Sequence, residues 1–258
     1  MAGINTTAKI TSVFLLLLFA VGVWGTKAVY AAAPRLELDG VGTTPISCTS
    51  FACFYVTGTQ LITTTRGHDV IILIVGCAFA CGNISSITDS SGLKFAQRVS
   101  YAARGELWEY YAVATSPLKS DNVTVEIQNT NLCIERCGMQ VLAIHGANTR
   151  AIFDPNPSIP ATVSCPGPNG CLLASIQTST FDFVIASTAI DDAGPCVSGP
   201  DSEAPPGFTN LAFNDKFEVD YSITTTPQSS VVFNCNGIDT DPMEIVLDAI
   251  SFYGAFGI

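Results

Sequence analysis

The chain is short of charge, and above all of positive charge. Only 13% of its 258 residues are charged, with 11 Lys and Arg against 22 Asp and Glu, for a net charge of −11. Phosphate backbones are held by clustered Lys and Arg, and no such cluster occurs, which excludes nucleic acid as a partner. Histidine is scarce as well. The only two, His68 and His145, flank long apolar runs, as turn and strand-edge residues do. No G-x-S-x-G elbow, H-E-x-x-H pair or glycine-rich phosphate loop occurs, which removes the motif-borne hydrolase, metalloprotease and nucleotide-binding classes. Helical patterning is missing too, since outside the N-terminal run no helix-length window keeps an apolar period of about 3.6 residues. The expectation is an all-β protein that is not an enzyme and uses no cofactor or metal ion.

What is present begins with Asp69-Val-Ile-Ile-Leu-Ile-Val75, closed by Gly76. Val and Ile lose χ1 freedom in helices and suit a pleated surface, so the run reads as a central strand covered on both faces. Its context recurs. Asp182-Phe-Val-Ile-Ala186 opens a second block, Tyr111-Ala-Val-Ala-Thr-Ser-Pro117 returns as Tyr221-Ser-Ile-Thr-Thr-Thr-Pro227, and Val141-Leu-Ala-Ile-His145 returns as Leu247-Asp-Ala-Ile-Ser251. Two halves, about 69–148 and 182–258, therefore read as one strand pattern used twice. Between them Phe153-Asp-Pro-Asn-Pro-Ser-Ile-Pro160 is too rich in proline for a central strand or helix and reads as a crossing loop. Each half alone would bury little, which favours one antiparallel, jelly-roll-like sandwich of two sheets over two separate domains.

Lys9 followed by Val13-Phe-Leu-Leu-Leu-Leu-Phe-Ala-Val-Gly-Val-Trp24 has the length of a signal-peptide core rather than of a membrane span. Small residues gather in Ala28-Val-Tyr-Ala-Ala-Ala33, where cleavage after Ala31 or Ala33 fits, and a retained anchor is the competing reading. The domain plan is a signal peptide over 1–31 and a single β-sandwich domain over 32–258. Loss of Lys9 and Lys27, with no acid, takes the net charge from −11 to −13. After cleavage no membrane contact is expected. The mature N-terminus, Pro34–Gly40, puts Leu36 and Leu38 on one face of a strand. This N-terminal strand can complete its own sheet or be donated to a neighbouring subunit, which would give self-assembly.

Ten cysteines point to an oxidising compartment. Strand residues four apart lie about 13 Å from each other, whereas a bridge needs Cα atoms about 4.4–6.8 Å apart. Cys77/Cys81 and Cys133/Cys137 pair locally only if each segment turns tightly. The repeat offers the alternative: Cys196 corresponds to the Cys77/Cys81 loop and Cys235 to the Cys133/Cys137 region, so Cys196–Cys235 predicts two bridges between the earlier loops. Cys48–Cys53 and Cys165–Cys171 remain as local loops. Zinc is the competing use of these thiols, and the C-x₃-C spacing argues against it. Asn83-Ile-Ser and Asn122-Val-Thr are glycosylation sequons. Glu106 and Glu109 point to opposite faces of one strand and do not converge as a glycosidase pair must. Asp191-Asp192, Asp201/Glu203 and Asp239/Asp241 read as solvated loop acids.

Leu38-Asp-Gly, Thr63-Thr-Thr with Asp69-Val-Ile-Ile, Ile87-Thr-Asp-Ser-Ser-Gly-Leu, Glu109-Tyr-Tyr-Ala-Val-Ala and Asp121-Asn-Val-Thr-Val form a series. Ile144-His-Gly-Ala-Asn, Phe153-Asp-Pro and Ala249-Ile-Ser-Phe continue it. The series resembles the secreted, Thr/Ser-rich β-sandwich surface proteins common in archaea, with related modules in bacterial and phage surface proteins. The resemblance implies an extracellular surface, adhesive or filament role. The expectation is a secreted cell-surface structural or adhesive protein, with a filament subunit as its assembled form. A carbohydrate-binding module, with Trp108, Tyr110 and Tyr111 stacking on glycan, is the alternative, and a glycan-acting hydrolase the third. N-terminal sequencing of the exported protein should begin at Ala32 or Pro34; a start at Met1 or Ala2 would establish the anchor.

Overall fold

The computed structural model describes residues 35–42, 55–78, 82–129, 137–164, 173–190, 196, 204–214, 217–235 and 242–256. Fifteen strands occur in this order: β1 (Glu37–Val41), β2 (Tyr55–Ile62), β3 (Asp69–Cys77), β4 (Gly82–Asp89), β5 (Ala96–Ala102), β6 (Glu106–Ala114), β7 (Asp121–Asn129) and β8 (Cys137–His145). There follow β9 (Ala161–Ser164), β10 (Leu173–Ile176), β11 (Asp182–Ile190), β12 (Thr209–Asn214), β13 (Phe217–Ile223), β14 (Val231–Asn234) and β15 (Pro242–Ser251). A short 3₁₀ turn, Tyr253–Phe256, comes last.

These strands make four antiparallel sheets. One five-stranded sheet has the order β1-β8-β3-β6-β5 and the other, taken from its β9 edge, the order β9-β15-β11-β13-β12. A three-stranded sheet, β2-β7-β4, and a two-stranded one, β10-β14, complete the set. The expectation of two sheets is corrected to four, and burial gives the reason. Every residue of β3 and of β11 is buried, so each strand needs a covering layer on both of its faces. Ile71, Leu73 and Val75 pack against Val123, Val125 and Ile127 of the three-stranded sheet. Val70, Ile72 and Ile74 pack the other way, against Phe183 and Ile185 of β11 and Phe217 of β13. The opposite face of β11, with Val184 and Ala186, meets Ala174 and Ile176 of β10 and Phe233 of β14. The layers thus run three-stranded, five-stranded, five-stranded, two-stranded.

The two central sheets approach most closely at one corner. Gly76 of β3 lies opposite Gly138 of β8, and the Phe217 ring occupies the space where a Cβ on either glycine would stand. Beside it, Glu244 of β15 accepts hydrogen bonds from the Arg104 and Gly105 amides at the β5–β6 turn, at 2.6 and 2.5 Å. A Cβ on Gly105 would collide with that carboxylate and with the Cys77 carbonyl.

The crossing loop predicted over Phe153–Pro160 leads directly into β9, an edge strand, where a preceding proline costs no ladder bond. At the other sheet's edge, Leu36 is buried and β1 pairs with β8 from Glu37↔His145 to Val41↔Leu142, so the N-terminal strand lies in its own chain's sheet. Beyond β1 the Gln60 amide takes over the β8 edge, donating to the Met139 carbonyl (2.7 Å) and accepting from the Val141 amide (2.8 Å). The edge strands β1, β4, β5 and β12 each carry a register shift.

The glycine corner gives a packing prediction. Phe217→Ala should cost about 3–5 kcal/mol of unfolding free energy. Gly138→Ala should cost about 1–3 kcal/mol by overpacking. The double variant should be clearly less destabilised than the sum of the two, because the methyl group then enters the vacated space. Urea unfolding measures all three, and strict additivity would show that the ring does not sit on Gly138.

Candidate functional site

The structure pairs Cys77 with Cys137 and Cys196 with Cys235, each with Cα atoms 4.2 Å apart. The first joins residues opposite each other at the ends of β3 and β8, and the second draws the segment after β11 to the residue following β14. The order of the two halves predicts Cys196–Cys235 by residue and, for the first half, bridges between the Cys77/Cys81 and Cys133/Cys137 segments without saying which thiols pair. Cys48, Cys53, Cys81, Cys133, Cys165 and Cys171 lie outside the described residues, as do Asp191, Asp192, Asp201, Glu203, Asp239 and Asp241.

Asn83 on β4 and Asn122 on β7 are both exposed. On β7 the buried residues Val123, Val125 and Ile127 alternate with Asn122, which therefore stands on the outer face of the three-stranded sheet. Asn83 stands on the same face, next to the inward-packed Ile84.

The expected aromatic platform is corrected. Trp108 is buried and Tyr110 half-buried on the face of β6 toward the three-stranded sheet. Tyr111 points the opposite way and meets the Phe153 ring edge-on, with centroids 5.1 Å apart. Because β6 is flanked by β3 and β5 and covered on both faces, its aromatics serve the interior and form no common surface. Glu106 and Glu109 do diverge, as their spacing predicted. Glu106 accepts from the Gly82 amide of β4 (3.2 Å), while Glu109 faces the second five-stranded sheet beside Asp248.

Buried acids are the feature that strand patterning concealed. Asp248 on β15 is held by a two-pronged pair with Arg98, at 2.8 and 3.1 Å, and the Arg98 guanidinium also lies 4.0 Å over the Phe153 ring. Burial first, and then neighbouring Asp248, holds the Glu109 carboxyl well above its ordinary range, with Arg98 acting in the opposite sense. Asp69 and Asp182 open β3 and β11, and each has a second carboxylate nearby, Asp39 and Asp154 respectively. Asp182 is pushed up to about 7, chiefly by burial, although Thr180 donates to it at 2.7 Å. Burial likewise pushes Asp220 up to about 7 against its bond from Asn210 at 3.0 Å.

The two histidines, separated by most of the first half, come together. His68 and His145 line one cleft of about 460 Å³ with Thr149, Arg150 and Tyr253. His145, the last residue of β8, meets Asp69, the first of β3, with 2.8 Å between Nδ1 and Oδ1. Asp69 itself is fully buried and raised by desolvation, a shift that this contact opposes. His68 takes a left-handed backbone at φ 62°, an unusual conformation for a side-chain-bearing residue. Nothing local in the sequence announces this pairing, which depends on the β3–β8 register. No protein family, no curated protein and no solved structure matches the chain.

The raised carboxyls set the sign of the pH dependence. Between an unfolded value of 3.8 and a folded value of about 7, native Asp182 and Asp220 retain protons that the unfolded chain has released. Their contribution is therefore fully present below pH 3.8 and is lost as pH rises through 7. Thermal unfolding should give a higher Tm at about pH 4.5 than at about pH 7.5, and Asp182→Asn or Asp220→Asn should flatten the difference. A Tm that climbs over this interval would contradict the assignment.

Proposed function

We propose that the chain is a secreted cell-surface structural or adhesive protein, built as one strand plan used twice. The observation that carries the reading is the pair of disulfides, one joining the buried strands β3 and β8 and the other tying the segment after β11 to the residue following β14. Such bonds persist in oxidising, extracellular surroundings and resist local opening of the strands they join. The matching strand orders of the two five-stranded sheets support a duplicated plan. The shared outer face of Asn83 and Asn122 supports glycan attachment there, with that face turned outward. Assembly into filaments would proceed by exchange of β1 between neighbours, because the pairing of β1 with β8 can form between chains as well as within one. Kinship with secreted archaeal surface sandwiches is part of the same proposal and rests on the shared turn and strand motifs.

Immunogold electron microscopy of the producing cells tests the reading. Label should lie on the cell surface, and the protein should be released by shearing with sugar on Asn83 or Asn122. Label confined to the cytoplasm, or free thiols at Cys77, Cys137, Cys196 and Cys235, would overturn it.

A further inference from the structure

In a chain with twice as many acids as bases, the cleft where β3 begins and β8 ends is lined by no Asp or Glu side chain among the described residues. Its one guanidinium stands ready instead. Arg150 is exposed and has no carboxylate partner among the described residues, in contrast to Arg35, Arg66 and Arg98. His145 turns Nδ1 to the buried Asp69 carboxyl, which fixes the ring's orientation and leaves Nε2 for the cleft. The fold does not demand an imidazole at this place. Asp182 stands in the corresponding position at the start of β11, opposite Ser251. There Thr180 bridges the two, at 2.7 Å to Asp182 and 3.2 Å to Ser251. A hydroxyl pair therefore meets the buried carboxylate in the second half, where the first half uses a ring that reaches the surface.

The remaining walls complete a small-ligand site. Tyr253 is 64% exposed, so its ring offers a flat apolar face beside the charged groups. Gly146 and Ala147 line the cleft without bulk, and Thr149 adds a hydroxyl. A volume of about 460 Å³ falls within the range of small-molecule clefts, roughly 300–1,000 Å³.

We propose that this cleft binds a carboxylated sugar, a hexuronic acid residue of an acidic glycan. The carboxylate pairs with the planar fork of Arg150, whose geometry suits two parallel N–H···O bonds. The sugar ring lies on Tyr253, with its hydroxyls within reach of His145 Nε2 and Thr149. One guanidinium matches one carboxylate, whereas a phosphate dianion is served by several permanent cations or a nest of backbone amides. The site does not depend on where the protein resides, so its failure would leave the cell-surface reading standing.

Titration of the full secreted chain with D-glucuronate, followed by the ring C–H resonances of His68 and His145, tests the site. Glucuronate should shift both resonances saturably. Glucose and acetate, each supplying only one half of the ligand, should bind at least about tenfold more weakly, as should the Arg150→Gln variant. Tyr253→Ala should weaken glucuronate and leave acetate unchanged. The Arg150 side chain has no carboxylate partner among the described residues, so the thermal midpoint of Arg150→Gln should equal that of the parent, which separates lost binding from lost folding. Equal affinity of Arg150→Gln and the parent, tighter binding of inorganic phosphate, or acetate binding as well as glucuronate would each overturn the proposal.

Discussion

The seating of Phe217 on the Gly76–Gly138 pair is the contact on which the architecture turns. Two twisted five-stranded sheets can share an interior only where their backbones come close, and side chains normally hold stacked sheets about 10 Å apart. By dispensing with side chains at two facing positions, the first sheet opens a recess that one aromatic ring fills. On the opposite face of the same strand ends, the Cys77–Cys137 bridge holds β3 to β8 and joins the other interior. The recess therefore cannot widen by separation of its two strands. Glu244 receiving the β5–β6 turn amides closes the corner with the one kind of charge able to accept from both.

Interior carboxyls accompany this plan because the central strands leave few faces to water. An isolated buried carboxylate is costly, and this molecule meets the difficulty in two ways. Asp248 is held in a two-pronged contact with Arg98, and Glu244 accepts from backbone amides. Asp182 and Asp220 hold protons far above the pH at which free carboxyls lose them.

Much of the fold was legible because strand residues of the two halves recur in the same order. Asp69–Val75 and Asp182–Ala186 identified the central strands, and the equivalence of their loops identified Cys196–Cys235. The number of layers was not read correctly, although apolar residues on both faces of β3 already required a sheet on each side. Proline density marked the crossing to the second half but hid β9, since an edge strand tolerates a proline beside it that a central strand would not. Trp108, Tyr110 and Tyr111 resembled a binding surface because spacing alone does not say whether a second sheet covers a face. The cleft was invisible for a different reason: His68, His145, Arg150 and Tyr253 meet only through the β3–β8 register and the final turn.

The register shifts in β1, β4, β5 and β12 have a consequence for molecules crowded together. An edge strand ordinarily presents a row of unused amides and carbonyls that any similar strand can continue. A bulge breaks the spacing of that row and twists it away from a straight partner. Copies of the chain crowded together would thus meet, along these four strands, at margins that do not match one another. Random fusion into a tangled aggregate is discouraged, and ordered contact is left to surfaces whose shapes agree.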